Sequence, residues 1–154
     1  MNKYTILAKY KNDVFDADAE KIKRDIFDLG IKKTIFVQIA HLYEVSSGIN
    51  SDKIKNICDN LLIDPLIQQP FIDADPSKNC STVEVYYKTG VTDSVAETIK
   101  IGINDIGIKE PVSVRTGKKY YFGGSLSKQE LKKISEKVLS NTVIQDYKIV
   151  EDGG

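Results

Sequence analysis

Residues 16–32 read DADAEKIKRDIFDLGIK, and residues 93–109 read DSVAETIKIGINDIGIK. The second stretch repeats the first at an offset of 77 residues. In both, an aspartate precedes apolar residues at helical spacing, and a glycine follows the last of them. This pattern predicts an amphipathic helix with an aspartate N-cap and a left-handed glycine after its C-terminus.

The similarity between the two halves extends well beyond these helices. Residues 4–71 align with residues 81–148 without a gap, and 21 of 68 aligned positions are identical. The matched residues are varied in type, so a biased composition does not explain them, and a duplicated module is the economical account. We divide the chain into a first repeat at 1–72, a linker at 73–80, a second repeat at 81–150 and a tail at 151–154.

Each repeat has the same predicted order of elements. Alternating apolar residues in 4–10 predict a half-buried strand before the first helix. After the helix, the β-forming runs Ile35–Ile39 and Leu42–Val45 predict a hairpin or a bent strand. A second helix follows, which in the second repeat carries the capping-box residues Ser127 and Glu130, and a closing strand ends the repeat. The order is β-α-β-β-α-β, twice.

These elements predict an α+β fold. We expect the two repeats to pack as an intramolecular pseudo-dimer with antiparallel sheets and the helices outside. A single repeat would leave apolar sheet surface or open edges uncovered. The fusion supplies the second repeat at high effective concentration, so that the repeats share one sheet or stack sheet on sheet.

Composition excludes several classes of function. Lys plus Arg and Asp plus Glu number 22 each in 154 residues, and the net charge of zero gives no electrostatic reason to bind nucleic acid or an anionic membrane. There is no apolar stretch of membrane-spanning length and no signal-peptide pattern, so we expect a cytoplasmic protein. Cys58 and Cys80 fit neither a metal spacing nor a disulfide framework.

Candidate catalytic residues have simpler explanations. The single histidine, His41, aligns with Lys118 and is expected on the surface. Acidic residues at 16–20 are explained by the start of a helix, and the glycines at 123–124 lack the spacing of a phosphate loop. We expect no catalytic, cofactor-binding or metal-binding residue in this chain.

Four motifs of the second repeat occur in a specific order. They are Val91-Thr92-Asp93, Ile106-Gly107, the residues VRTGK at 114–118 and the residues LSNTVIQDY at 139–147. This set resembles PurS, the small subunit of phosphoribosylformylglycinamidine synthase. The first repeat resembles a diverged PurS unit, which reads Gln38-Ile39-Ala40-His41 where the second has Arg115-Thr116-Gly117-Lys118. Ser94 and Thr142 stand where the family has proline.

The resemblance implies an assembly role without chemistry. PurS dimers hold a PurL-like synthetase and a PurQ-like glutaminase together for ammonia transfer, and ATP, Mg and glutamine are used by those partners. A tandem duplication would reproduce the dimer in one chain, either freestanding or as the N-terminal part of a PurS–PurL fusion, and further self-association stays open. The candidate subunit-contact residues are Arg115, Gly117, Lys118, Tyr120, Asn141, Asp146 and Tyr147. The alternative for the 115–118 stretch is a tight turn at Gly117 with two solvated cations.

Two other functions compete with assembly. Tandem ferredoxin-like units also form regulatory domains that bind a small effector, such as an amino acid, between paired units. A small enzyme on the same fold would need a general base beside a nucleophile, and no such pair is evident in the sequence.

Overall fold

The computed structural model describes residues 2–33, 36–77 and 79–150. The strands are β1 (Asn2–Tyr10), β2 (Val37–Ser47), β3 (Gln68–Ile72), β4 (Ser81–Tyr87), β5 (Val112–Phe122) and β6 (Gln145–Val150). The helices are α1 (Ala17–Asp28), α2 (Ser51–Ile57), α3 (Ser94–Asp105) and α4 (Lys128–Ile134). Helices α2 and α4 continue as π-helical turns at Cys58–Leu62 and Ser135–Leu139.

The strands form one six-stranded antiparallel sheet in the order β3-β1-β2-β5-β4-β6. Together with the four helices, this confirms the predicted α+β class and the shared sheet. Within the described residues, no helix has the length and apolar character needed to cross a membrane.

Of the two alternatives for the middle of each repeat, a hairpin or a bent strand, the hairpin is wrong, because each repeat has one long strand there. Strands β2 and β5 are 11 residues each, and Ile35 lies outside the described residues. Each of these strands is continuous from its first residue to its last, so the backbone does not turn back on itself there. The observed order is therefore β-α-β-α-β in each repeat.

The predicted helix signals are confirmed. The Asp16 carboxylate accepts from the Ala19 amide at 3.1 Å, and the Asp93 carboxylate accepts from the Ala96 amide at 3.0 Å. The glycine that follows each of these helices has a left-handed backbone, with φ of 93° at Gly30 and 94° at Gly107. The capping box that opens α4 is present as predicted.

The chain forms two compact units, and neither coincides with a repeat. The first unit consists of the chain up to Val14, His41–Pro76 and Thr92–Thr116. The second unit consists of Phe15–Ala40, Ser77–Val91 and the chain from Gly117 onward. Each unit therefore contains segments of both repeats.

The core of the first unit shows how the segments combine. Its fully buried strand and second-helix residues belong to the first repeat and include Ile6, Val45 and Ile54. They pack with Ile99 and Ile103, which α3 of the second repeat supplies. Ile103 is 2% exposed, so α3 completes this core.

The core of the second unit is built in the converse way. Val83, Phe122 and Ile134 come from the second repeat, and Ile26 comes from α1 of the first. Ile26 is 0% exposed. The two repeats therefore exchange their first helices, and neither repeat encloses a complete core from its own residues.

Candidate subunit-contact site

Six of the seven candidate contact residues lie in the second unit, where β4 is hydrogen-bonded to β5 on one side and β6 on the other. Gly117 of β5 is opposite Tyr86 of β4, which is opposite Asp146 of β6. A Cβ atom at Gly117 would lie 2.6 Å from the Val85 carbonyl oxygen and 2.8 Å from Cδ1 of Tyr86. The glycine thus allows two extended strands to approach closely, and the alternative of a tight turn at Gly117 is wrong.

The next set of opposed residues across these three strands contains Lys118 and Tyr147. Lys118 is exposed and lies opposite Val85, which is opposite Tyr147. The Tyr147 hydroxyl donates to the Glu136 carboxylate at 2.6 Å, and this hydrogen bond raises the pKa of Tyr147. The tyrosine is therefore held in place, whereas the Lys118 ammonium faces solvent.

Tyr120 is a core residue of the second unit. It lies opposite Val83, is 5% exposed, and packs with the buried residues of the unit's core. Burial, with a smaller contribution from Asp18, raises the pKa of Tyr120 to about 12. The structure therefore leaves little of Tyr120 for a partner to contact.

Arg115 lies in the first unit, in the N-terminal half of β5. Its guanidinium is 3.7 Å from the Glu44 carboxylate, and the ammonium of Lys3 is 3.5 Å from the same carboxylate. The Arg115 side chain is half exposed. The Glu44 side chain is only 15% exposed, so this pair joins a largely buried carboxylate to a guanidinium that still meets solvent.

Asn141 organises the turn before β6. Its side-chain oxygen accepts from the Val143 amide at 3.1 Å, and its own amide donates to the Gln145 side chain at 2.8 Å. The Gln145 amide donates back to the Asn141 carbonyl at 2.8 Å. This closed set of bonds presents Val143, which is 79% exposed, to solvent.

The first repeat has the same turn. The Asp64 carboxylate accepts from the Leu66 amide at 3.1 Å, and the Gln68 side chain accepts from the Asp64 amide at 2.9 Å. Leu66 is 83% exposed. These two apolar tips were not predicted from the sequence, although an aliphatic residue occupies the same position in both repeats.

Other chemistry is sparse in the described part of the chain. No three His, Cys, Asp or Glu side chains among the described residues are grouped so as to hold a metal ion. A shallow depression in the second unit is formed by one face of α1, with Glu20, Lys23, Arg24 and Phe27 at its surface. A depression formed by one exposed helix offers no enclosed site for a small ligand.

Two buried groups that titrate at alkaline pH, the Cys58 thiol and the Tyr120 hydroxyl, predict that the protein becomes less stable as pH rises. Burial raises the pKa of the Cys58 thiol from 9.0 to about 11, and burial also raises the pKa of Tyr120. Between these values the unfolded chain has released protons that the folded chain still holds, so the free energy of unfolding falls as pH rises. We expect a loss of about 2 kcal/mol between pH 9 and 11, measured by urea denaturation.

Removing the thiol provides the control for that pH dependence. Cys58→Ala lowers stability at pH 7 by leaving a small cavity, yet its stability should depend less on pH above 9 than that of the wild type. An equal slope in the two proteins would show that Cys58 does not hold its proton on folding.

One comparison with known proteins bears on this arrangement. The model of the PurS family, described as phosphoribosylformylglycinamidine (FGAM) synthase, matches the chain twice, over residues 3–75 and 80–152. The two matches are offset by 77 residues (80 − 3), the offset of the internal repeat. No curated protein matches the chain.

Proposed function

We propose, since this chain belongs to the PurS family, that it bridges the synthetase and the glutaminase of FGAM synthase for ammonia transfer. Family membership implies a role in FGAM synthase and in purine biosynthesis, as a non-catalytic subunit. In the proposal the partners are a PurL-like synthetase and a PurQ-like glutaminase in the cytoplasm. ATP, Mg and glutamine are used by those partners.

The exchange of α1 and α3 between the repeats is the observation that carries this proposal. A protein that bridges two partners must fix the distance and the angle between them. Because each core needs a helix from both repeats, the two repeats fold as partners rather than as independent domains. One chain thereby contains the two PurS units that a PurS dimer has, which supports the bridging role.

Ammonia transfer explains why such a subunit needs no reactive side chains. Ammonia that escapes into bulk water is diluted and protonated, so the route between two active sites must be enclosed by well-packed protein. Packing at an interface requires shape and a few well-placed polar groups. Exposed residues such as Lys118, Arg115 and Val143 can provide those contacts.

Gel filtration tests the bridging role. The chain, the synthetase and the glutaminase are mixed with glutamine and ADP, and we expect all three to elute as one complex. Glutamine-dependent FGAM synthesis should require the chain, whereas synthesis from added ammonia should not. Two partners that assemble and transfer ammonia without the chain would overturn the proposal.

A charge reversal locates the contact. Lys118→Glu should weaken co-elution by about tenfold in affinity, because an exposed interface charge acts through complementarity with its partner. Lys132→Glu, on the exposed surface of α4, is the matched control and should have no effect. If the chain binds neither partner but an amino acid raises its melting temperature, the chain is a regulatory protein instead.

A further inference from the structure

Strand β6 forms one edge of the sheet, and the register shows which of its backbone groups face outward. The Lys88 amide donates to the Ile144 carbonyl at 2.9 Å, so Ile144 is a hydrogen-bonded partner of this ladder. Hydrogen-bonded positions alternate in an antiparallel pair, so residues 146, 148 and 150 also direct their backbone groups toward β4. Residues 145, 147 and 149 direct theirs away from the sheet.

The opposite edge, β3, is blocked by a proline. The Lys11 amide donates to the Ile67 carbonyl, and the Asp73 amide donates to the Thr5 carbonyl. By the same alternation, Pro70 occupies an outward position, where it has no N–H to offer. A proline at such a position prevents another strand from pairing there. The residue equivalent to Pro70 in the second repeat is Tyr147, so the β6 edge lacks this protection.

We propose that β6 pairs antiparallel with β6 of a second copy of this chain, about a two-fold axis at Tyr147. In this register Asp146 is opposite Lys148 of the second copy, and Lys148 is opposite its Asp146. A shift of the register by two residues in either direction moves the axis to Asp146 or Lys148. That places two like charges directly opposite each other, which is unfavourable. Charge complementarity thus selects the register centred on Tyr147.

Apolar residues flank these charges in the same register. Ile144 of one copy is opposite Val150 of the other, and the symmetry repeats this pair. Ile144 is 36% exposed and Val150 is 46% exposed, and both are large hydrophobic side chains. The pairing would remove both from water, which adds to the stability of the contact.

The hydrogen bonds also match the symmetry. The Gln145 amide already donates within the Asn141 turn, which leaves Tyr147 and Ile149 as the outward donors of β6. In the proposed register each Tyr147 amide donates to the Tyr147 carbonyl of the other copy. Each Ile149 amide donates to the other copy's Gln145 carbonyl. Both outward amide donors of β6 therefore have an acceptor. The proposed pairing does not depend on whether the chain bridges the synthetase and the glutaminase.

Charge-reversal variants of the full chain test the proposal. Sedimentation equilibrium should show a concentration-dependent dimer of the wild-type chain. Asp146→Lys and Lys148→Glu should each raise the dimer dissociation constant about tenfold, because each creates two like-charge pairs across the axis. An equimolar mixture of the two variants should form heterodimers with near wild-type affinity, since every opposite pair is then complementary.

A proline variant tests the backbone pairing. Tyr147→Pro copies Pro70 of the first repeat and should abolish the dimer, while circular dichroism checks that the chain remains folded. The charge variants keep the test valid if Tyr147→Pro fails to fold. A wild-type chain that stays monomeric at all accessible concentrations would overturn the proposal. So would a dimer that tolerates both charge reversals, or an edge that pairs with a partner protein instead of a second copy.

Discussion

Residues 1–76, expressed without the rest of the chain, will not fold as a monomer. The core of the first unit needs Ile99 and Ile103 from α3, and without them Ile6, Val45 and Ile54 lose part of their cover. Truncating one large buried aliphatic residue costs about 2–5 kcal/mol. Losing two removes much of the roughly 5–15 kcal/mol that stabilises a typical domain. Circular dichroism and light scattering should show an unfolded monomer, or a folded dimer in which α1 of a second copy replaces α3.

Recombining the halves is the control for this experiment. A mixture of residues 1–76 and 77–154 should form a folded 1:1 complex, because it restores both exchanged helices. The complex should unfold in one cooperative transition that depends on concentration. A monomeric half-chain that unfolds cooperatively near the melting temperature of the full chain would contradict the helix exchange.

Local features of this fold could be predicted from the sequence because they depend on neighbouring residues. Asp16 and Asp93 bind amides three residues away, and Gly30 and Gly107 need only their own backbone freedom. The gapless repeat also indicated that both halves share one order of elements, although the hairpin predicted in the middle of each is a single strand. Such short-range signals do not depend on the packing of distant segments.

The helix exchange could not be predicted from the same signals. Helices α1 and α3 have matching apolar stripes, with Ile26 equivalent to Ile103. A stripe shows which face of a helix is buried but not which sheet buries it. Because the repeats are so alike, either first helix is compatible in sequence with either set of strands.

The candidate contact residues differ in their exposure. Lys118 and Asp146 are exposed as a contact surface requires, whereas Tyr120 is buried. The Asp93 carboxylate also accepts from the Thr116 hydroxyl, at 2.8 Å to Oδ2, a bond that has no possible counterpart in the first repeat. The residue equivalent to Thr116 is Ile39, which has no hydroxyl, so alignment of the repeats could not reveal this bond.

Gly117→Ala should lower the free energy of unfolding by about 2–4 kcal/mol, as overpacking of a close contact does. The added methyl group would lie 2.6 Å from the Val85 carbonyl oxygen, and backbone atoms cannot move aside without disturbing the β4–β5 ladder. Gly48→Ala is the matched control, because Gly48 has no heavy atom within 4 Å of the added carbon. The control should change stability by less than about 1 kcal/mol in urea denaturation.

Comparison of the two repeats indicates how the stability lost in Gly117→Ala is divided between the contact with the Val85 carbonyl oxygen and the contact with the Tyr86 ring. In the first repeat, Ala40 is equivalent to Gly117 and Lys9 is equivalent to Tyr86. The first repeat therefore has a Cβ atom at the glycine position together with a flexible lysine side chain in place of the tyrosine ring. Tyr86→Lys should therefore recover part of the loss caused by Gly117→Ala, because it removes the contact at 2.8 Å with Cδ1 of Tyr86. The double-mutant cycle should show a coupling energy of about 1 kcal/mol, and the remaining loss reports the carbonyl contact. If Gly117→Ala is as mild as Gly48→Ala, the close approach of β4 and β5 does not require glycine.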